Sequence, residues 1–173
     1  MKIWRLLNDE KSRVIVSKDE QNEDLIESIL DGERIDGSWE YMEFVVGRKK
    51  SYKDFPRFLP GVPVFPMKTL NILLPLIEDY VQLLPGEIEG EEVRVVNVLS
   101  VIECADYKSE QDGFQMVLLY LAKDKILNRG PIFKLAETLE VIVTDEFRNL
   151  VLESKLKGFE FEEVWDLESE SSE

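Results

Sequence analysis

EVIVTDEFRNLVLESKLKGFEFEEVWD, residues 140–166, is the stretch whose reading decides the fold, and it reads as strand, helix, strand. Val141, Ile142 and Val143 are β-branched and apolar, which suits a buried strand. Thr144 offers a hydroxyl as helix N-cap, and Asp145 and Glu146 put negative charge on the positive end of the helix dipole. Phe147, Leu150, Val151 and Ser154 share one helical face. Lys155 and Lys157 suit the negative end of the helix, and Gly158 can take the left-handed conformation that stops it. Phe159, Phe161 and Trp165 fall on one side of the second strand, Glu160 and Glu162 on the other. Glu163 breaks the alternation, so a bulge or bend is expected near the strand's end. The roughly 14 residues between the strands allow a right-handed parallel crossover, and an antiparallel return fits them equally.

Upstream, KIWRLL (2–7) and RVIVS (13–17) read as strands joined in a hairpin by a polar turn. Asn22 can cap a short helix with Leu25, Ile26, Ile29 and Leu30 inward and Gly32 at its end. WEYMEFVV (39–46) has strand composition. Arg48, Lys49, Lys50, Lys53 and Arg57 form the one basic cluster, read as a solvated loop because no Gly-rich phosphate cradle accompanies it. DFPRFLPGVPVFP (54–66) holds four of seven prolines but is too apolar to leave in water; an extended segment packed along the surface is expected. Pro66 fits the first turn of a helix over 67–79, which Pro75 should kink or end early. Pro85-Gly86 and Glu89-Gly90 mark turns, and the apolar run 93–102 predicts one central strand. Residues 114–122 and 131–135 read as further strands, with a turn or single helical turn at 123–130.

These elements predict an α+β fold: a single domain over residues 1–166, with an acidic disordered tail at 167–173. The strands are expected in one curved or mixed sheet, mostly antiparallel, with about three helices packed on it.

Composition narrows the chemistry. Thirty-six acids against 21 bases give a net charge of −15, so nucleic acid is not an expected ligand. Such a charge suits a basic protein partner and speeds its encounter; it also serves simple solubility. The 173 residues include no histidine and a single cysteine, Cys104, expected as a small buried hydrophobe. That removes the usual zinc sites, Ser-His and Cys-His pairs and histidine bases, and no cofactor is expected. The acidic loop 106–113 does not match a calcium loop, with Lys108 where a ligand belongs. The longest uncharged runs span 10 residues, too short for a membrane span, and the N-terminus turns charged too soon for a secretory signal. A cytoplasmic location is expected.

The order of motifs along residues 37–166 resembles a family of immunity proteins from bacterial polymorphic toxin systems, long catalogued as a domain of unknown function. The matching features begin with Gly37-Ser38-Trp39 before a strand, Asp54-Phe55-Pro56, and the segment PVFPMKTLNIL (63–73). Leu84-Pro85 follows, then VRVVNVLSVIE (93–103) and Asp106-Tyr107-Lys108-Ser109. Ile132-Phe133-Lys134, the Thr-Asp-Glu-Phe element ending at Phe147, and Leu156-Lys157-Gly158-Phe159-Glu160-Phe161 with Trp165 close the series. The chain departs at Pro66, where a serine commonly caps the helix, and at Ala105, where a larger apolar residue is usual.

The resemblance implies a non-catalytic cytoplasmic protein that binds and neutralises a cognate toxin. Combined with the charge, it suggests a basic toxin meeting an acidic surface that includes some of Asp106, Glu110, Asp112, Glu160, Glu162 and Glu163. Two alternatives are a scaffold or accessory protein without a toxin partner, and an enzyme working through carboxylates alone, which needs a pocket with acids of separated pKa.

Overall fold

In the computed structural model, which describes residues 1–19, 23–37, 39, 41–103 and 123–168, the C-terminal stretch is strand, helix, strand. The elements are β1 (Lys2–Asn8), β2 (Ser12–Ser17), α1 (Glu23–Leu30), β3 (Met42–Arg48), β4 (Tyr52–Arg57) and β5 (Val64–Pro66). Then come α2 (Met67–Ile77), a 3-10 turn (Glu78–Tyr80), β6 (Val81–Ile88), β7 (Glu91–Val98) and β8 (Val101–Ile102). A helical turn (Lys123–Ile126) precedes β9 (Ile132–Leu135), β10 (Val141–Thr144), α3 (Asp145–Glu153) and β11 (Phe159–Asp166).

The fold is α+β, a single domain, but its strands divide between two mixed sheets where one was expected. The order is β11-β1-β10-β9-β8 in the first and β4-β2-β3-β6-β7-β5 in the second. The pairs β2–β4, β3–β6 and β8–β9 are parallel and the others antiparallel. β1 runs antiparallel to both β10 and β11, so β10 and β11 point the same way with β1 inserted between them. The C-terminal unit is therefore a crossover split by the N-terminal strand.

That insertion overturns the expected β1–β2 hairpin. Both edges of β1 are occupied, so after a turn closed by the Ser12 amide on the Asp9 carbonyl the chain moves to the other sheet. The run 93–102 also changes sheet: it breaks at Leu99-Ser100 into β7 and β8. Pro85-Gly86 is no turn either. β6 runs through it, and Gly86 admits the neighbouring strand, since a Cβ there would lie 2.8 Å from the Met42 carbonyl oxygen. The turn at Glu89-Gly90 is present, both residues having positive φ (49° and 89°), as a tight hairpin requires.

The bulge near the end of β11 is also present, and it moves a residue. Trp4 pairs with Glu163 but Ile3 with Trp165, leaving Val164 as the extra residue. The parity flip sends Trp165 to the opposite face from Phe159 and Phe161, a correction to the simple alternation. Phe159 and Phe161 pack on the core between the sheets, whereas Trp165 packs with Ile3, Phe133 and Ile142.

Three apolar clusters follow from these placements. The first joins both sheets through α2 and α3, with Leu73, Phe65, Val98, Val143 and Phe147 fully buried. In the second, α1 packs on the six-stranded sheet through Ile29, beside Phe44 and Val95. Segment 54–66 is more deeply built in than expected: Phe55, Val62 and Phe65 belong to the core, while Arg57, Leu59 and Pro60 stay exposed. Pro66 closes β5 and sits at the N-cap of α2, and the helix continues two residues past Pro75 before tightening to 3-10 geometry. Leu167 is buried and donates its amide to the Met1 carbonyl, so ordered chain extends past residue 166.

Candidate functional site

Of the acidic residues singled out from sequence, Asp106, Glu110 and Asp112 lie outside the described residues, as do Cys104 and the 114–122 run. Glu160, Glu162 and Glu163 are exposed on β11, at the edge of the five-stranded sheet. Two of them already have partners. Glu162 receives Arg5 at 2.8 Å, and Arg5 also reaches Glu140 at 2.9 Å; Glu163 receives Lys2 at 2.8 Å. These exposed pairs are weakly stabilising, but they reduce the negative field that β11 offers to a partner. Glu160 faces a groove.

That groove is a concavity of the described surface that sequence reasoning missed. It consists of two depressions of about 380 and 410 Å³ that share Phe58 and Leu59. The ridge between them is the Leu59–Val62 turn, in which the Val62 amide donates to the Leu59 carbonyl at 3.1 Å and Gly61 has φ +79°. Only glycine fits at that corner: a Cβ on Gly61 would lie 2.5 Å from the Leu139 carbonyl oxygen and 3.2 Å from Leu30. Phe58 anchors the floor by an edge-to-face contact with Phe44 at 5.0 Å.

The depressions differ in charge. The first lies between β1, the end of β4 and the 136–140 hairpin loop, and is lined by Arg5, Arg57, Glu140 and Glu160 among apolar neighbours. The second lies between α1 and the end of β2. Ile26, Leu30, Phe58 and Leu59 form its apolar wall, and Asp19, Glu23 and Glu27 its exposed rim. None of those three carboxylates has an ion-pair partner among the described residues. Leu59 itself is 44% exposed. Leu139, at the opposite wall, holds a left-handed backbone (φ 60°), a conformation costly for a leucine.

Elsewhere, perturbed titratable groups serve the scaffold. Lys134 is fully buried on β9, and its Nζ donates at 2.6 Å to the Ile29 carbonyl at the C-terminal end of α1. Burial lowers its pKa to about 8, with Asp31 opposing that shift. The basic cluster does not converge either: Lys50 donates to the Glu10 carbonyl and Arg57 to the Asn8 carbonyl. Among the described residues, no group of three or more His, Cys, Asp and Glu could hold a metal ion, and no helix is long and apolar enough to cross a membrane.

No protein-family model matches the chain, and no curated protein matches it.

Proposed function

We propose that this protein is an immunity protein: in the cytoplasm it binds a cognate bacterial protein toxin and holds it inactive. The observation that carries the proposal is the surplus of carboxylate, 36 acids against 21 bases, of which Asp19, Glu23 and Glu27 border an apolar groove and form no ion pair among the described residues. A surface of that kind favours a basic protein and accelerates its arrival. The ordered motif resemblance over residues 37–166 supports the same proposal.

The test is binding. The protein is co-expressed with a tagged toxin domain encoded immediately upstream, catalytically disabled so that cells survive, and the tag is pulled down. A stoichiometric complex whose affinity falls with added salt is expected. Two soluble proteins that elute separately would overturn the proposal.

A further inference from the structure

We infer that the groove around Leu59 is the surface that receives the partner, and that its occupant is a cationic amphipathic segment: an apolar side chain seated between Phe58, Leu59 and Ile26, with lysines or arginines over the rim of α1. The inference deepens the toxin-binding proposal and rests on it for the identity of the occupant in the cell.

Shape, exposure and charge converge at this one place. The two depressions share Phe58 and Leu59 in their linings, so a segment laid across the Leu59 ridge touches both. The apolar wall is open to solvent at Leu59, and its floor is fixed to the core through Phe58 on Phe44, so little ordering is needed on binding. Asp19, Glu23 and Glu27 stand on one side only, whereas Arg57 lies beyond the ridge with Glu160. Cationic residues of the occupant therefore lie on the α1 side, which fixes the direction of docking. β11 is the weaker candidate, since Glu162 and Glu163 are already engaged by Arg5 and Lys2. A second copy of this chain is a poor occupant, because each copy brings a net charge of −15. Left-handed Leu139 keeps a side chain at the groove wall at a position where glycine would be easier for the backbone.

The experiment selects from a displayed library of random short peptides against the full-length protein, with counter-selection against Leu59→Asp. The expected result is enrichment of peptides in which an apolar residue is flanked by Lys or Arg. They should bind Leu59→Asp, and separately Asp19→Lys with Glu27→Lys, at least about ten-fold more weakly than the wild type. Leu152→Asp, at an exposed leucine on α3 outside the lining, should bind like the wild type. Unchanged melting temperatures show that the variants are folded. The inference is overturned if no peptide is enriched, if the enriched peptides are acidic, or if they bind the groove variants as well as the wild type. A wild-type dimer that Leu59→Asp dissociates also overturns it, assigning the groove to self-association. The toxin separates the two proposals. If it is captured equally by the groove variants, immunity stands and the groove falls; if it is not captured while basic peptides bind the groove, the reverse holds.

Discussion

The indole Nε1 of Trp4 donates a 2.8 Å hydrogen bond to Oδ1 of Asp145, across 141 residues of sequence. The other carboxylate oxygen of Asp145 accepts the Lys2 amide at 2.7 Å. One side chain at the start of α3 thus pins β1 into its place between β10 and β11. Arg148, one turn further along α3, lies 4.3 Å from the centre of the Trp4 ring and adds a cation–π contact to the same joint.

Replacing Asp145 with alanine should therefore cost about 2 kcal/mol at neutral pH in urea unfolding. Partial burial pushes the carboxyl pKa up, but the bonds from Lys2 and Trp4 and the nearby positive charges outweigh it and hold the pKa below 3.8. A depressed folded pKa gives stability that is present above the unfolded value and lost as pH falls through the folded one. The gap between wild type and Asp145→Ala should accordingly hold from pH 7 to about 4 and narrow below that. A gap independent of pH down to acid unfolding would contradict this account.

Lys134 gives a dependence of the same sign in an alkaline window. Its folded pKa of about 8 lies under the 10.5 of the free side chain, so between those values the unfolded state binds more protons and stability rises with pH. Lys134→Met removes the titration. The wild type should gain on the order of 2–3 kcal/mol relative to that variant between pH 8 and 10.5. Parallel stability curves across this window would show that the lysine titrates normally.

Thr144 separates a sequence expectation from the structure. It occupies the N-cap of α3, yet its hydroxyl makes no capping bond and is buried without a partner. Thr144→Val should thus be neutral or stabilising by up to about 1 kcal/mol in thermal or urea unfolding. A loss of about 1 kcal/mol would restore the capping role.

The helix end is as revealing. Gly158 does take a positive φ (94°), but α3 ends earlier, at Glu153, and the left-handed residue that closes it is Lys155 (φ 56°). Its amide donates to Leu152 and that of Leu156 to Val151, a double closure that glycine makes without strain. Lys155→Gly should stabilise the protein by about 0.5–1 kcal/mol in the same unfolding assay. Destabilisation would mean that the lysine side chain contributes more than its backbone costs.

Local pattern made the elements legible. The 141–143 valine-isoleucine run, the helix after it and the irregularity at Glu163 all appear where the residues indicate. Partner choice was less legible, because a strand such as β1 is apolar toward any neighbour, and only the assembled sheet decides between β2 and the pair β10 and β11. The groove had one visible signal, the proline-rich yet apolar 54–66 stretch. Its other walls come from α1 and from Leu139, distant in sequence and brought together by the two sheet crossings. On β11, sequence located the carboxylates of Glu162 and Glu163 but could not reveal the cations that β1 sets beside them.

The most direct test of the immunity proposal is growth of cells carrying the active toxin domain encoded immediately upstream, with and without this protein. The account predicts that induction of the toxin alone halts growth, that co-expression of the wild-type chain restores it, and that Leu59→Asp weakens the rescue. Arrest that persists at full strength with both proteins soluble would contradict the proposal that this chain neutralises that toxin.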